Sequence, residues 1–155
     1  MQVIREKNAN AAWWAVLKSL WLQGEATDNQ KYLRDEVVIV ELMSPTLERA
    51  DLRFPMPQAE LDIINRYICS GYGEDEVTHE WTKLYYHRAF DEPNSQIQFL
   101  LKKLREDGPA TKAQISMWDK TIDQSATIAP CTQAIWARVR NKAVELHGHA
   151  RTSDA

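Results

Sequence analysis

The residues with the most specific chemical potential in this sequence are a cysteine and an arginine near its end. Cys131 follows Pro130 at the start of an apolar segment, and Arg151 comes at the end of the next segment. If the two segments form an antiparallel hairpin, both residues lie at the same end of a sheet. A cation beside a thiol raises the thiolate fraction, which nucleophilic catalysis requires. The spacing therefore predicts a candidate nucleophile at Cys131.

Two other interpretations of this region are compatible with the same spacing. Cysteine is among the most buried residue types, so Cys131 also fits a packed structural thiol. His147 and His149 share one strand face with Glu145, and three such side chains could chelate zinc. Short His-x-His pairs also occur on ordinary surface strands, and no second cluster of candidate ligands accompanies this one in the sequence.

The elements that must position these residues are helices followed by strands, which predicts an α+β fold. Helical spacing predicts a first helix that ends at Gly24, with a Trp-rich face in the core, and a buried strand is expected over 36–42. Further helices are predicted over 58–69, 74–90 and 95–108, then a strand over 112–119 that turns Ala113, Ile115 and Met117 to one side, and a hairpin of 132–139 and 143–151. In the last strand, Glu145, His147, His149 and Arg151 form a polar face, and the opposite face with Val144, Leu146 and Ala150 is expected to pack.

Composition narrows the class of protein. The chain has 155 residues, of which 44% are hydrophobic and 26% charged, as expected for one globular domain. The net charge of −3 and the scattered Lys and Arg residues argue against binding of duplex nucleic acid. The apolar segment 11–22 contains Lys18, is too short for a membrane span and lacks a cleavage-site pattern, so we expect a cytoplasmic protein. With Cys69 and Cys131 alone, a disulfide framework is not expected.

Three short motifs resemble the central region of the thymidylate synthase family, which includes the cytidylate hydroxymethylases. They are "SMWD" at 116–119, "PCT" at 130–132 and "RTSD" at 151–154. In that family a strand ending in Trp-Asn or Trp-Asp precedes a Pro-Cys nucleophile and then Arg-Ser-x-Asp. Weaker likeness extends to "AWWAVLKSLWLQG", "YYHRAF" and "SQIQFLLKKLREDG". The resemblance implies a single thymidylate synthase-like domain over 1–155, with helices packed on a mixed β-sheet and without the C-terminal part of the family fold.

The resemblance also implies residue roles. Cys131 would add to C6 of a pyrimidine nucleoside monophosphate, so that C5 attacks a one-carbon unit from 5,10-methylenetetrahydrofolate. Arg151 and Thr152 match positions that bind the nucleotide phosphate, and Asp154 matches an acid near the base and the cofactor. In the family the phosphate site is shared across a homodimer, and Lys112 stands at a position that would act from the facing subunit.

This sequence departs from the family at several positions. Thr111 and Lys112 stand where family members carry two arginines, and Thr132 replaces the usual histidine after the cysteine. Glu60 and Glu80 are the candidates for the proton-relaying glutamate. These departures favour a divergent member acting on another pyrimidine nucleotide, with 5-hydroxymethylation of cytidylate as the leading expectation. The alternatives are methylation of dUMP and a non-catalytic, truncated homologue that serves as an interaction module.

Overall fold

The computed structural model describes residues 1–26, 34–46, 49–91, 93–106, 113–127 and 129–151. The chain divides into two compact units, one ending at Gln58 and the other beginning at Ala59. Within the described ranges, no helix has both the length and the apolar character needed to cross a membrane.

The first unit contains one helix and two small sheets. Its elements are β1 (Gln2–Glu6), α1 (Ala9–Gln23), β2 (Glu25–Ala26), β3 (Arg34–Asp35) and β4 (Val38–Leu42). β1 pairs with β4 in parallel, and β2 pairs with β3 antiparallel. The Asn8 side chain accepts a hydrogen bond from the Ala11 N–H and caps the start of α1. The Gly24 N–H donates to Leu20 O at the helix end, which confirms the predicted stop.

Two burial predictions for the first unit are wrong. Val37 and Ile39 are exposed at 67% and 48%, because the sheet formed by β1 and β4 has only two strands in the described residues and leaves much of its surface open. The Trp-rich face of α1 is not wholly in a core either. Trp14 and Trp21 are exposed, and each lies under an arginine guanidinium instead, Trp14 at 4.1 Å from Arg53.

The second unit contains the remaining helices and a three-stranded sheet. Its elements are α2 (Gln58–Ser70), a short 3-10 helix (Glu74–Glu76), α3 (Glu80–Phe90), α4 (Gln96–Glu106), β5 (Gln114–Ser116), β6 (Thr132–Arg140) and β7 (Ala143–Ala150). The single helix predicted over 74–90 is wrong, because Val77 takes extended backbone angles, is buried and ends the 3-10 helix, and α3 begins only after His79. The Ser95 hydroxyl accepts a hydrogen bond from the Gln98 N–H and caps α4, as the sequence predicts. The predicted end of this helix at Gly108 lies outside the described residues.

The predicted hairpin is confirmed. β6 pairs antiparallel with β7 and β5 pairs antiparallel with β6, in the order β5-β6-β7. Asn141 and Lys142 form a two-residue turn with φ of 51° and 64°, the left-handed conformation that tight hairpins require. The α+β class is confirmed as well. The described strands form three separate sheets, each wholly parallel or wholly antiparallel, so the predicted mixed sheet is not found among them.

The core of the second unit lies between the helices and one face of this sheet. Its buried residues are Ala89, Leu100, Ala113, Ile115, Met117 and Ala137. The predicted inward side of the strand at 112–119 is thereby confirmed. The packed face predicted for the last strand is wrong, because Val144 and Leu146 are 58% and 68% exposed. α4 packs on β5 and β6, whereas β7 is the outer strand of the described sheet.

Candidate active site

Cys131 lies directly before β6, between a buried proline and a strand. Pro130 is fully buried, and Cys131 is partly exposed. The Tyr85 hydroxyl, which comes from α3, accepts hydrogen bonds from the N–H groups of Cys131 at 2.9 Å and Thr132 at 3.0 Å. A phenol oxygen has two acceptor positions, and both are used here. One side chain therefore fixes the main chain on both sides of the cysteine's carbonyl group.

Arg151 holds the same segment from the other side. Its main-chain N–H donates to Cys131 O at 2.9 Å, its Nε donates to Pro130 O at 3.3 Å, and its Nη2 donates to Ala129 O at 3.3 Å. The structure thus places Cys131 and Arg151 side by side at one end of the sheet. A guanidinium has five N–H donors, and these side-chain contacts use two of them. In contacts with described residues, the exposed guanidinium uses no further donor, and an anion could be bound by the remaining ones.

The segment between β5 and Cys131 is anchored by a buried ion pair. Arg88, on α3, donates from Nη2 to Asp123 Oδ1 at 2.7 Å and from Nη1 to Asp123 Oδ2 at 2.5 Å, and it also donates to Met117 O. The Asp123 side chain is 0% exposed and that of Arg88 is 14% exposed. The hydrogen bonds from Arg88 hold the pKa of Asp123 below its usual value, and those to Asp123 raise the pKa of Arg88. The pair is therefore charged on both sides at neutral pH.

Gln96 ties the first turn of α4 to the same region. Its Nε2 donates to Arg88 O at 2.7 Å and to Ser116 O at 2.9 Å, and its Oε1 accepts from the Ser116 N–H at 2.8 Å. The amide side chain thus satisfies both main-chain groups of Ser116, on the edge of β5 that faces away from β6. Helices α3 and α4 and strand β5 are joined through this one glutamine.

The other predicted site residues either lie outside the described residues or make no described hydrogen bond with Cys131. Lys112, Thr152 and Asp154 lie outside the described residues. Glu60, on α2, has its Oε1 at 2.9 Å from His79 Nε2, and Glu80 is exposed at the start of α3. The described hydrogen bonds of Cys131 involve Tyr85 and Arg151 and neither glutamate, so the relay roles of Glu60 and Glu80 stay predictions.

The zinc interpretation of the last strand finds no support. Glu145 Oε2 lies 2.6 Å from Arg138 Nε, and this hydrogen bond lowers the pKa of the Glu145 carboxyl. The His147 ring packs on Trp136, with ring centroids 4.9 Å apart. Across the part of the chain that the structure describes, no three His, Cys, Asp or Glu side chains are arranged to hold a metal.

Sequence reasoning missed Tyr85, Arg88, Gln96 and Asp123. A usable signal exists for two of them, because Tyr85 and Arg88 are three residues apart and must share one helix face. No such signal exists for Asp123, which lies in a loop without periodicity. Its partner Arg88 is 35 residues away in the sequence.

The fold is α+β, and similarity to two curated proteins supports a distant thymidylate synthase-like relationship. The "Putative thymidylate synthase" of Methanosarcina acetivorans is 23% identical to this chain over 158 residues, an alignment that covers 99% of this chain and 71% of the relative. The protein of the same name from Methanosarcina mazei is 25% identical over 158 residues with the same coverage. No protein-family model matches the chain.

Proposed function

We propose that this protein transfers a one-carbon group from 5,10-methylenetetrahydrofolate to C5 of a pyrimidine nucleoside monophosphate. The observation that carries the proposal is the setting of Cys131. Its N–H is bound by Tyr85 and its C=O by Arg151, and its thiol is neither fully buried nor part of a disulfide. The similarity to two proteins named as thymidylate synthases gives this setting a reaction class.

In this proposal Cys131 acts as the nucleophile. Its Sγ forms a bond to C6 of the base, and the displaced electron pair makes C5 nucleophilic. C5 then forms a bond to the one-carbon unit and loses its proton, and the Sγ–C6 bond breaks to restore the ring and release the cysteine. In hydroxymethylation, water supplies the hydroxyl group and tetrahydrofolate is released. We assign the proton transfers to Glu60, through His79, or to Glu80, with Asp154 beside the base.

The nucleotide phosphate is assigned to Arg151, Thr152 and Lys112. The guanidinium of Arg151 is suited to this role because it binds phosphate oxygens in pairs and keeps donors beyond those given to Pro130 and Ala129. Lys112 is proposed to reach the phosphate from the facing subunit of a homodimer in the cytoplasm. Mixing Lys112→Ala chains with Cys131→Ser chains should then restore part of the activity in heterodimers, and complete absence of restoration would count against the shared site.

The cofactor is assigned to a shallow cavity of about 470 Å³ next to Arg88. Its lining includes Trp118, Ile122 and Lys120. An indole and an aliphatic side chain fit a flat heterocycle, and the exposed ammonium group of Lys120, which stands beside the carboxyl residue Asp119, is proposed to meet the anionic tail. When bound, 5,10-methylenetetrahydrofolate supplies the one-carbon unit, and the chain's part is to hold it.

The base is proposed to be cytosine, with 5-hydroxymethylation of CMP or dCMP as the reaction. An ordinary thymidylate synthase would be expected to keep two arginines and a histidine at three positions. This chain carries Thr111, Lys112 and Thr132 there, and these replacements support the proposal. Methylation of dUMP is the second candidate. A non-catalytic homologue that serves as an interaction module is the third.

The test is tritium release from C5-labelled dUMP, dCMP and CMP in the presence of methylenetetrahydrofolate. The longest natural form of the chain is compared with its Cys131→Ser variant, and Cys69→Ser is the matched control because Cys69 is the other, exposed cysteine. Release that survives Cys69→Ser and is lost in Cys131→Ser would establish the nucleophile, and the labelled nucleotide would name the base and the sugar. Absence of release from all three nucleotides would favour the non-catalytic alternative.

A further inference from the structure

We propose that the buried Arg88–Asp123 pair is a positioning device for the Cys131 thiol and acts through helix α3 and Tyr85. The inference rests on the proposed role of Cys131 as a nucleophile. It adds a second group of residues, away from the thiol, that sets how reactive the thiol is.

The first step concerns what α3 holds. Tyr85 and Arg88 lie three residues apart, so they share one helix face at a separation of about 4.5 Å along the axis. Tyr85 binds the end of the segment that connects β5 to β6, at the N–H groups of Cys131 and Thr132. Arg88 binds the start of the same segment at Met117 O. One turn of α3 therefore clamps both ends of the segment that leads to the cysteine.

The second step concerns why Arg88 cannot move without a consequence. Its partner Asp123 is wholly buried, and the Asp123 carboxylate also accepts the Asp119 N–H at 2.7 Å. Separating Arg88 from Asp123 would leave a buried charge without its partner and would strongly destabilise the fold. The bidentate contact therefore fixes α3 against the segment. The Arg88 C=O is held as well, by the Gln96 side chain. The guanidinium and the main chain of this residue are thus both bound.

The third step leads from α3 to the thiol. Because a helical turn is rigid, a shift of α3 at Arg88 displaces the Tyr85 hydroxyl by a similar amount. The two N–H groups that this hydroxyl accepts belong to Cys131 and the next residue, so their displacement reorients the cysteine relative to Arg151. A change in the orientation of the cysteine changes how its thiol is presented to an incoming electrophile, and hence how fast it reacts.

The test is the rate of alkylation of Cys131 by iodoacetamide between pH 6 and pH 10, measured by mass spectrometry in a Cys69→Ser background. We expect Arg88→Met to slow alkylation at pH 7 by about tenfold, the scale of loss that misplaced reacting groups show. The rate should stay below that of the parent chain over the whole pH range, because the cause is geometric. Arg88→Lys should recover part of the rate, because it keeps the charge and loses the fork. The matched control is Arg138→Lys, which changes an arginine paired with the partly exposed Glu145 and should leave the profile unchanged.

A double-mutant cycle keeps the proposal refutable even if Arg88→Met does not fold. If Arg88 acts through Tyr85, then Arg88→Lys slows alkylation in the parent chain and has no further effect in a Tyr85→Phe chain. Additive effects of Arg88→Lys and Tyr85→Phe would overturn the proposal, and so would a parent-like profile for Arg88→Lys. Alkylation needs neither nucleotide nor folate, so this test can succeed when tritium release fails, and the two proposals can be rejected separately.

Discussion

Replacing Tyr85 by Phe removes one oxygen atom and keeps the ring, so it isolates the two hydrogen bonds that hold the cysteine segment. The hydroxyl accepts from the N–H groups of Cys131 and Thr132 at 2.9 and 3.0 Å, and both contacts are partly buried. A donor left without its acceptor costs about 1 kcal/mol when some water can still reach it, and more when it cannot. Two such donors predict a loss of about 2 kcal/mol in the free energy of unfolding of the second unit.

Two measurements check this value. Urea unfolding of Tyr85→Phe should give a free energy of unfolding lower by about 2 kcal/mol than in the parent chain. Hydrogen exchange should locate the loss, because about 2 kcal/mol of local opening free energy corresponds to about thirtyfold faster exchange at the Cys131 and Thr132 amides. Amides in the β6–β7 turn region, such as Val144, should change much less.

Tyr86→Phe is the matched control, because it removes a hydroxyl from the next residue of the same helix, on the side that faces Gly71. If Tyr85→Phe unfolds within about 0.5 kcal/mol of the parent chain and the Cys131 and Thr132 amides exchange at unchanged rates, the assigned role of the hydroxyl is refuted. Equal effects of Tyr85→Phe and Tyr86→Phe would also refute it, because they would indicate a general change in α3.

Three further predictions concern stability. The pKa of Asp123 is held below its ordinary value of 3.8, so its carboxylate stabilises the fold above pH 3.8 and loses this contribution as the pH falls through the folded-state pKa. The free energy of unfolding of Asp123→Asn should therefore be lower than that of the parent chain at pH 7, and the two values should approach each other below pH 3.8. Gly71→Ala should lower the melting temperature, because φ is +71° and an added Cβ would lie 2.2 Å from a tyrosine hydroxyl, whereas Gly148→Ala has nothing within 4 Å and should have little effect. Lys142→Gly should stabilise the hairpin by about 1 kcal/mol in urea unfolding, because φ is 64° at this turn position, and an unchanged midpoint would contradict this reasoning.

The elements that the sequence predicts correctly are those determined by local signals. The end of α1 at Gly24, the cap of α4 at Ser95 and the β6–β7 hairpin all depend on residues close together in the chain. Burial was predicted less well, because a face is buried only when another element covers it. Val144 and Leu146 alternate correctly on one face of β7, yet they are exposed because α4 packs on β5 and β6. Periodicity determines which residues share a face, and tertiary packing determines whether that face is covered.

The same distinction applies to the site. The proximity of Cys131 and Arg151 follows from a hairpin of adjacent strands, so spacing in the sequence is enough to predict it. The contact with Tyr85 joins residues 46 positions apart, and the helix that carries this tyrosine gives no sign of where its hydroxyl will bind. The apolar spacing of a helix predicts that one of its faces packs, but it does not predict which loop that face contacts.

The two cysteines differ in their exposure and in the hydrogen bonds of their surroundings, and this difference bears on whether Cys131 is a packed thiol or a nucleophile. Cys69 is exposed near the end of α2. Among the described contacts, its side chain makes no hydrogen bond. Cys131 is partly exposed, and its main chain is bound by Tyr85 on one side and by Arg151 on the other. A packed thiol needs full burial, whereas Cys131 is only partly buried, and it does not need a rigid main chain. The nucleophile that we propose needs access and orientation together, and a partly exposed cysteine on a main chain held from both sides is compatible with both needs.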